Sequence, residues 1–244
     1  MTKQIPLLTT VITIFIFYIT WGSAQLLDFY FKNSNLPELF FSTIYTGIAG
    51  CLIPLHILKK FNINIFEKTN SLKTSVKIIG YIFLIITILY ATVGSEALFK
   101  ALQIHKSILV ILKYLLLFFP MALAISLFAF AIIPYTTNVD TYTTKKKVSV
   151  IFFISLFFIA GFLVDTLFKD LELSLIMGSI GLLLSIAFIL LRNFWLLFSA
   201  FYIILLINTL ADNKYSEYPF GIVIISSALS LGILLFYQRT NKIS

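Results

Sequence analysis

From Leu171 to Leu210 the chain carries a nearly unbroken apolar run, and its only strongly polar break is Arg192-Asn193. About forty such residues are twice what one bilayer crossing needs. A tight helical hairpin turning at Arg192-Asn193, with both arms in lipid, accommodates them. In lipid every backbone N–H and C=O must be satisfied within the protein, which leaves helices or a closed barrel. Barrel strands are about ten residues long and alternate in polarity, so the fold class is all-α, a polytopic integral membrane helical bundle. Composition agrees: 60% of the 244 residues are hydrophobic, only 11% are charged, and the mean hydropathy is +1.02. A soluble domain carries about 25% charged residues. A cytosolic enzyme, a nucleic-acid-binding domain and a disordered tail are therefore set aside.

The remaining apolar stretches bring the total to about eight transmembrane helices. They run from Ile5 to Ala24, Pro37 to Leu58, Val76 to Gly94, Ile108 to Pro134 and Val148 to Phe168, then through the hairpin, and finally from Phe220 to Tyr237. Cytoplasmic loops retain Lys and Arg, and this fixes an orientation with both termini cytoplasmic. The inner side then receives twelve of the 18 basic residues and only Glu67 and Asp140 of the ten acids. It carries +10 and the outer side −2, within the net charge of +8. Residues 1–244 form a single transmembrane domain, placed by this reading in the bacterial cytoplasmic membrane. Met1–Ala24 also fits a signal peptide ending in Gly22-Ser23-Ala24. Its thin basic end and the spans that follow directly favour a retained first span.

Motifs for soluble chemistry are missing from the sequence. It has one cysteine, Cys51, and two widely separated histidines, His56 and His105. No Gly-rich phosphate loop, Gly-x-Ser-x-Gly elbow or His-Glu-x-x-His helix occurs, so neither a metal nor a cofactor is expected. Aromatic residues, 16% of the chain, are expected on lipid-facing helices, with Trp21, Trp195, Tyr135 and Tyr218 at the membrane interfaces.

Ionisable groups in or beside spans are costly unless paired or hydrated, which makes them candidates for function. Glu96 and Lys100 stand four apart at the outer end of the third span and face each other on a helix. Asp165 and Lys169 repeat the spacing after the fifth. Each pair reads either as a helix-end ion pair at headgroup level or as a polar site holding a substrate or ion. Lys113 lies a turn or two inside the fourth span, within snorkelling reach of the outer surface and placed to neutralise Glu96 if its helix face turns inward. Pro120, and similarly Pro54, frees a backbone carbonyl and bends its helix. Gly47, Gly50 and Cys51 form one small-residue patch, and Gly178 and Gly181 another, suited to close helix approach.

The segment Ser95-Glu96-Ala97-Leu98-Phe99-Lys100-Ala101 resembles the Glu-Glu-x-x-x-Arg signature of the CPBP family. These are the CAAX-protease and bacteriocin-processing (Abi) intramembrane endopeptidases, in which the motif commonly reads Glu-Glu-Leu-Phe-Phe-Arg-Gly. Leu127-Phe128-Ala129-Phe130-Ala131-Ile132 is similar to the family's Phe-x-x-x-His segment. The resemblance implies a glutamate that activates water, assisted by histidine and asparagine at the developing oxyanion. Here Ser95 replaces the first glutamate, Lys100 the arginine and Ile132 the histidine, and no histidine follows His105. It therefore implies a non-catalytic relative, one that binds a peptide or protein partner in an immunity or accessory role. Two alternatives stay open: a membrane-spanning component of a transporter or export permease, and an intramembrane hydrolase using Glu96. The lipid bilayer is the one partner common to all three, and no nucleic acid is expected.

Overall fold

The computed structural model describes residues 4–31, 34–65, 80, 108–136, 143–166, 171–191, 193–211 and 219–241. Among them every regular element is helical. We number the helices α1 (Leu7–Tyr30), α2 (Leu36–Lys60), α3 (Ile108–Thr136), α4 (Thr144–Thr166), α5 (Leu171–Leu191), α6 (Phe194–Ala211) and α7 (Phe220–Asn241). Among the described residues, four helices are long and apolar enough to cross a membrane: α1, α2, α3 and α7. The expected third span, 76–94, lies outside the described residues apart from Gly80.

Sequence signals set the ends of several helices. The apolar run divides where expected: α5 stops at Leu191, and Asn193 caps α6 by accepting the Leu196 N–H at its Oδ1 (3.2 Å), as the side chain of an N-cap residue does. Helix α2 closes on Asn62, in the left-handed region at φ 55°. The Ile63 N–H donates back to the Leu58 carbonyl (2.9 Å) and the Asn62 N–H to that of Lys59 (3.0 Å). These two bonds form a Schellman cap that satisfies the last carbonyls of the helix. Helix α1 continues past Ala24 through Gln25 and Asp28 to Tyr30, beyond the apolar stretch that announces it.

Two helices change their winding. In α2 residues Phe41–Leu52 follow the wider i→i−5 ladder, and in α3 residues Phe128–Ile132 do the same. In each case a proline follows two residues later, Pro54 and Pro134. A proline ring clashes with the carbonyl four residues back and offers it no N–H. An extra residue in the preceding turn moves that carbonyl aside, the usual circumstance of a π-type turn.

Residue contacts give the helix directions. Helices α2 and α7 run the same way: Thr46 meets Ser226, the Lys59 ammonium lies over the Phe236 ring, and the Tyr237 hydroxyl donates to the Ile63 carbonyl. Helix α3 shares that direction, since Gly50 abuts Ala124 and the later part of α2 packs on Phe128–Ile132. Helix α1 runs opposite to α3. The Ile5 N–H donates to the Tyr135 carbonyl (3.0 Å), and the Thr10 and Thr136 hydroxyls pair at 2.7 Å. Further along α1, Phe17 reaches Phe128. Helix α6 also opposes α3, through Phe198 on Phe119 and Tyr202 at Leu115.

The centre is aromatic. The Phe17 ring lies 4.5 Å from Phe128, 4.8 Å from Tyr45 and 6.1 Å from Phe157, joining α1, α2, α3 and α4. The phenylalanines divide between the two sides of these helices: Phe17, Phe118, Phe128 and Phe130 are fully buried, whereas Phe15, Phe152 and Phe236 are exposed. Trp21, expected at an interface, is buried as well, against Tyr18 and Tyr45. Such rings carry large contact areas and favour offset or edge-on neighbours, which the buried members find in one another.

Candidate functional site

Of the residues singled out by charge, Lys113 is the one whose side chain is described. It is 8% exposed, whereas Leu109 and Leu112 on the same helix are 62% and 46% exposed. Its side chain therefore belongs to the bundle face of α3 and not to the lipid-facing surface. The backbone of Asp165 lies in the last turn of α4, with its side chain outside the described residues. Glu96 and Lys100 also lie outside them. Among the described residues no three of His, Cys, Asp and Glu come together to hold a metal ion.

The polar feature that the structure assembles is a seam of hydroxyls between α2 and α7. Thr46 and Ser226 approach to 3.4 Å through their hydroxyls, and both also reach the Ser42 carbonyl, at 2.8 and 3.4 Å. One turn further along α7, Ser230 is fully buried, as is Cys51 on α2. Glycines bring the helices this close. A Cβ on Gly47 would sit 2.6 Å from Leu229 Cδ2, and one on Gly50 only 2.4 Å from Ala124 Cβ. The same is true of Gly181, where a Cβ would lie 2.6 Å from Phe158 Cβ. The small-residue patches thus act in packing, as expected.

A second junction forms at Pro120. A proline there leaves the Leu116 carbonyl without its intrahelical donor. The Ser227 hydroxyl of α7 donates to that oxygen at 2.5 Å, and the Tyr202 hydroxyl of α6 donates to the neighbouring Leu115 carbonyl at 2.6 Å. Helix α3 continues through Pro120 to Leu127. The proline therefore provides an acceptor that α7 binds through Ser227, beside the carbonyl that holds Tyr202 of α6.

Reading charge alone misses these hydroxyls, although a signal for them exists. Ser42 and Thr46, like Ser226 and Ser230, are spaced i, i+4 inside apolar spans, and so share a helix face. Chemically the seam offers neutral donors and acceptors and one thiol. It can bind and position. The Ile132 side chain, at the position where the CPBP pattern has histidine, is fully buried in the π-wound turn of α3. No family model, no curated protein and no solved structure matches this chain.

Proposed function

We propose that this is an eight-span protein of the bacterial cytoplasmic membrane, a non-catalytic CPBP-like protein that binds a peptide or protein partner within or beside the bilayer. The observation that carries the topology is the shared direction of α2 and α3. Two parallel spans with no described crossing between them need the chain to return an odd number of times over residues 61–107. The apolar stretch 76–94 supplies one such return. The opposed directions of α1 and α6 relative to α3 accord with the same threading. Support for a binding role in place of a catalytic one comes from Ile132. A buried aliphatic side chain at that position supplies neither a proton nor an oxyanion donor.

Labelling of single cysteines in spheroplasts tests both parts when combined with Glu96→Gln. Cysteines at Lys146 and Arg239 are expected to react from the cytoplasmic side and one at Asp28 from the outside. Native Cys51, fully buried, stays silent. Reaction of positions 146 and 28 from one side overturns the topology. Glu96→Gln is expected to leave the peptide and protein products of the cell unchanged; loss of a processed product in that variant would establish the hydrolase reading instead.

A further inference from the structure

We propose that the inner ends of α2 and α7 form a binding site for the headgroup of an anionic phospholipid, with Lys59 and Arg239 as its cationic arms. The proposal rests on the membrane-embedded reading given above. His56, Lys59 and Lys60 are all exposed and stand at i, i+3 and i+4 on the last turns of α2, so they share one face. The Lys59 ammonium crosses to the neighbouring helix and lies 5.9 Å from the centroid of the Phe236 ring. Arg239 is exposed one turn beyond Phe236, at the end of α7. Phe236 and Leu235 are themselves 68% and 54% exposed. Apolar surface at acyl-chain depth is thus capped by cations at headgroup depth, the pairing that a phospholipid carries in reverse.

The site is held in place. The Schellman cap ends α2 immediately after Lys60, and the Tyr237 hydroxyl, donating to the Ile63 carbonyl, ties that cap to α7. Lys59 and Arg239 therefore project from two backbones fixed to each other, so little ordering is left to a bound headgroup. Basic pockets between transmembrane helices on the cytoplasmic side bind anionic headgroups, each Lys or Arg contributing about 1 kcal/mol. Two such residues correspond to about a thirtyfold preference over a zwitterionic lipid. Lys145 and Lys147, in the first turn of α4, provide equal charge away from the junction of α2 and α7.

The full-length chain in nanodiscs of phosphatidylcholine, titrated with phosphatidylglycerol, tests this by native mass spectrometry of retained lipid. Wild type is expected to prefer phosphatidylglycerol about thirtyfold more than the Lys59→Gln/Arg239→Gln variant. The Lys145→Gln/Lys147→Gln variant, equal in net charge, is expected to keep the preference. An unchanged preference in the first variant, or an equal loss in both, overturns the site. Competition by inorganic phosphate alone, which lacks acyl chains, overturns it too. Carbonate extraction of membranes from the expressing cells separates the two proposals, because a chain released into the supernatant refutes membrane embedding itself.

Discussion

Replacing Ser227 by alanine isolates the contribution of the Pro120 junction. In the native bundle the Leu116 carbonyl receives the Ser227 hydroxyl because Pro120 offers no N–H. Without that hydroxyl the oxygen faces an interior with no water to replace it. Hydrogen bonds between membrane helices contribute about 0.6 kcal/mol on average and about 1.7 at most, while orphaning a buried acceptor costs about 1–3 kcal/mol. Ser227→Ala is therefore expected to destabilise the bundle by about 1–1.5 kcal/mol. In a Pro120→Ala background the new N–H reaches Leu116 within the helix, and Ser227→Ala is expected to cost less than about 0.5 kcal/mol. Unfolding in mixed micelles by added dodecyl sulfate, followed through the two tryptophans, measures all four corners of the cycle. Equal costs for Ser227→Ala in both backgrounds would refute the idea that the proline creates the acceptor.

The glycines divide by their surroundings. Gly50→Ala places a methyl 2.4 Å from Ala124 Cβ and 3.0 Å from the Tyr45 carbonyl, so the same titration should show a loss of about 1–3 kcal/mol. Gly22→Ala in α1 meets nothing within 4 Å and should gain about 0.5–1 kcal/mol from helix propensity. A neutral Gly50→Ala would contradict the close approach of α2 and α3.

Hydropathy made the helical bundle legible because lipid imposes a requirement that apolar length alone can meet. The break at Arg192-Asn193 was readable for the same reason, and the structure adds Asn193 as the cap that starts α6. Helix ends were less legible. Apolarity marks where lipid ends, whereas hydrogen bonding decides where α1 ends, and Gln25 and Asp28 lie inside it. The π-wound turns leave no mark in periodicity, although Pro54 and Pro134 stand two residues beyond their ends. The candidate site was least legible. Charge singled out Glu96, Lys100, Lys113 and Asp165, yet the contacts that tie α3 to α6 and α7 at Leu115 and Leu116 come from hydroxyls, whose partners are backbone carbonyls on distant helices. No residue-type rule pairs Ser227 with Leu116 or Tyr202 with Leu115.

In lipid the hydrophobic effect gives helices no reason to prefer one another over acyl chains, so a unique bundle needs another source of specificity. This chain uses defects. Pro120 exposes a carbonyl that a helix bearing a hydroxyl at the right depth satisfies, and Ser227 brings α7 to it, while Tyr202 ties α6 to the neighbouring Leu115 carbonyl. Gly47 and Gly50 remove side chains where α7 and α3 cross α2. The widened turns before Pro54 and Pro134 fall in α2 and α3, which pack on each other. Each feature weakens its own helix in isolation and is compensated only in the assembled bundle. Such features therefore discriminate against alternative packings, and an interior almost free of charge can still specify a single arrangement.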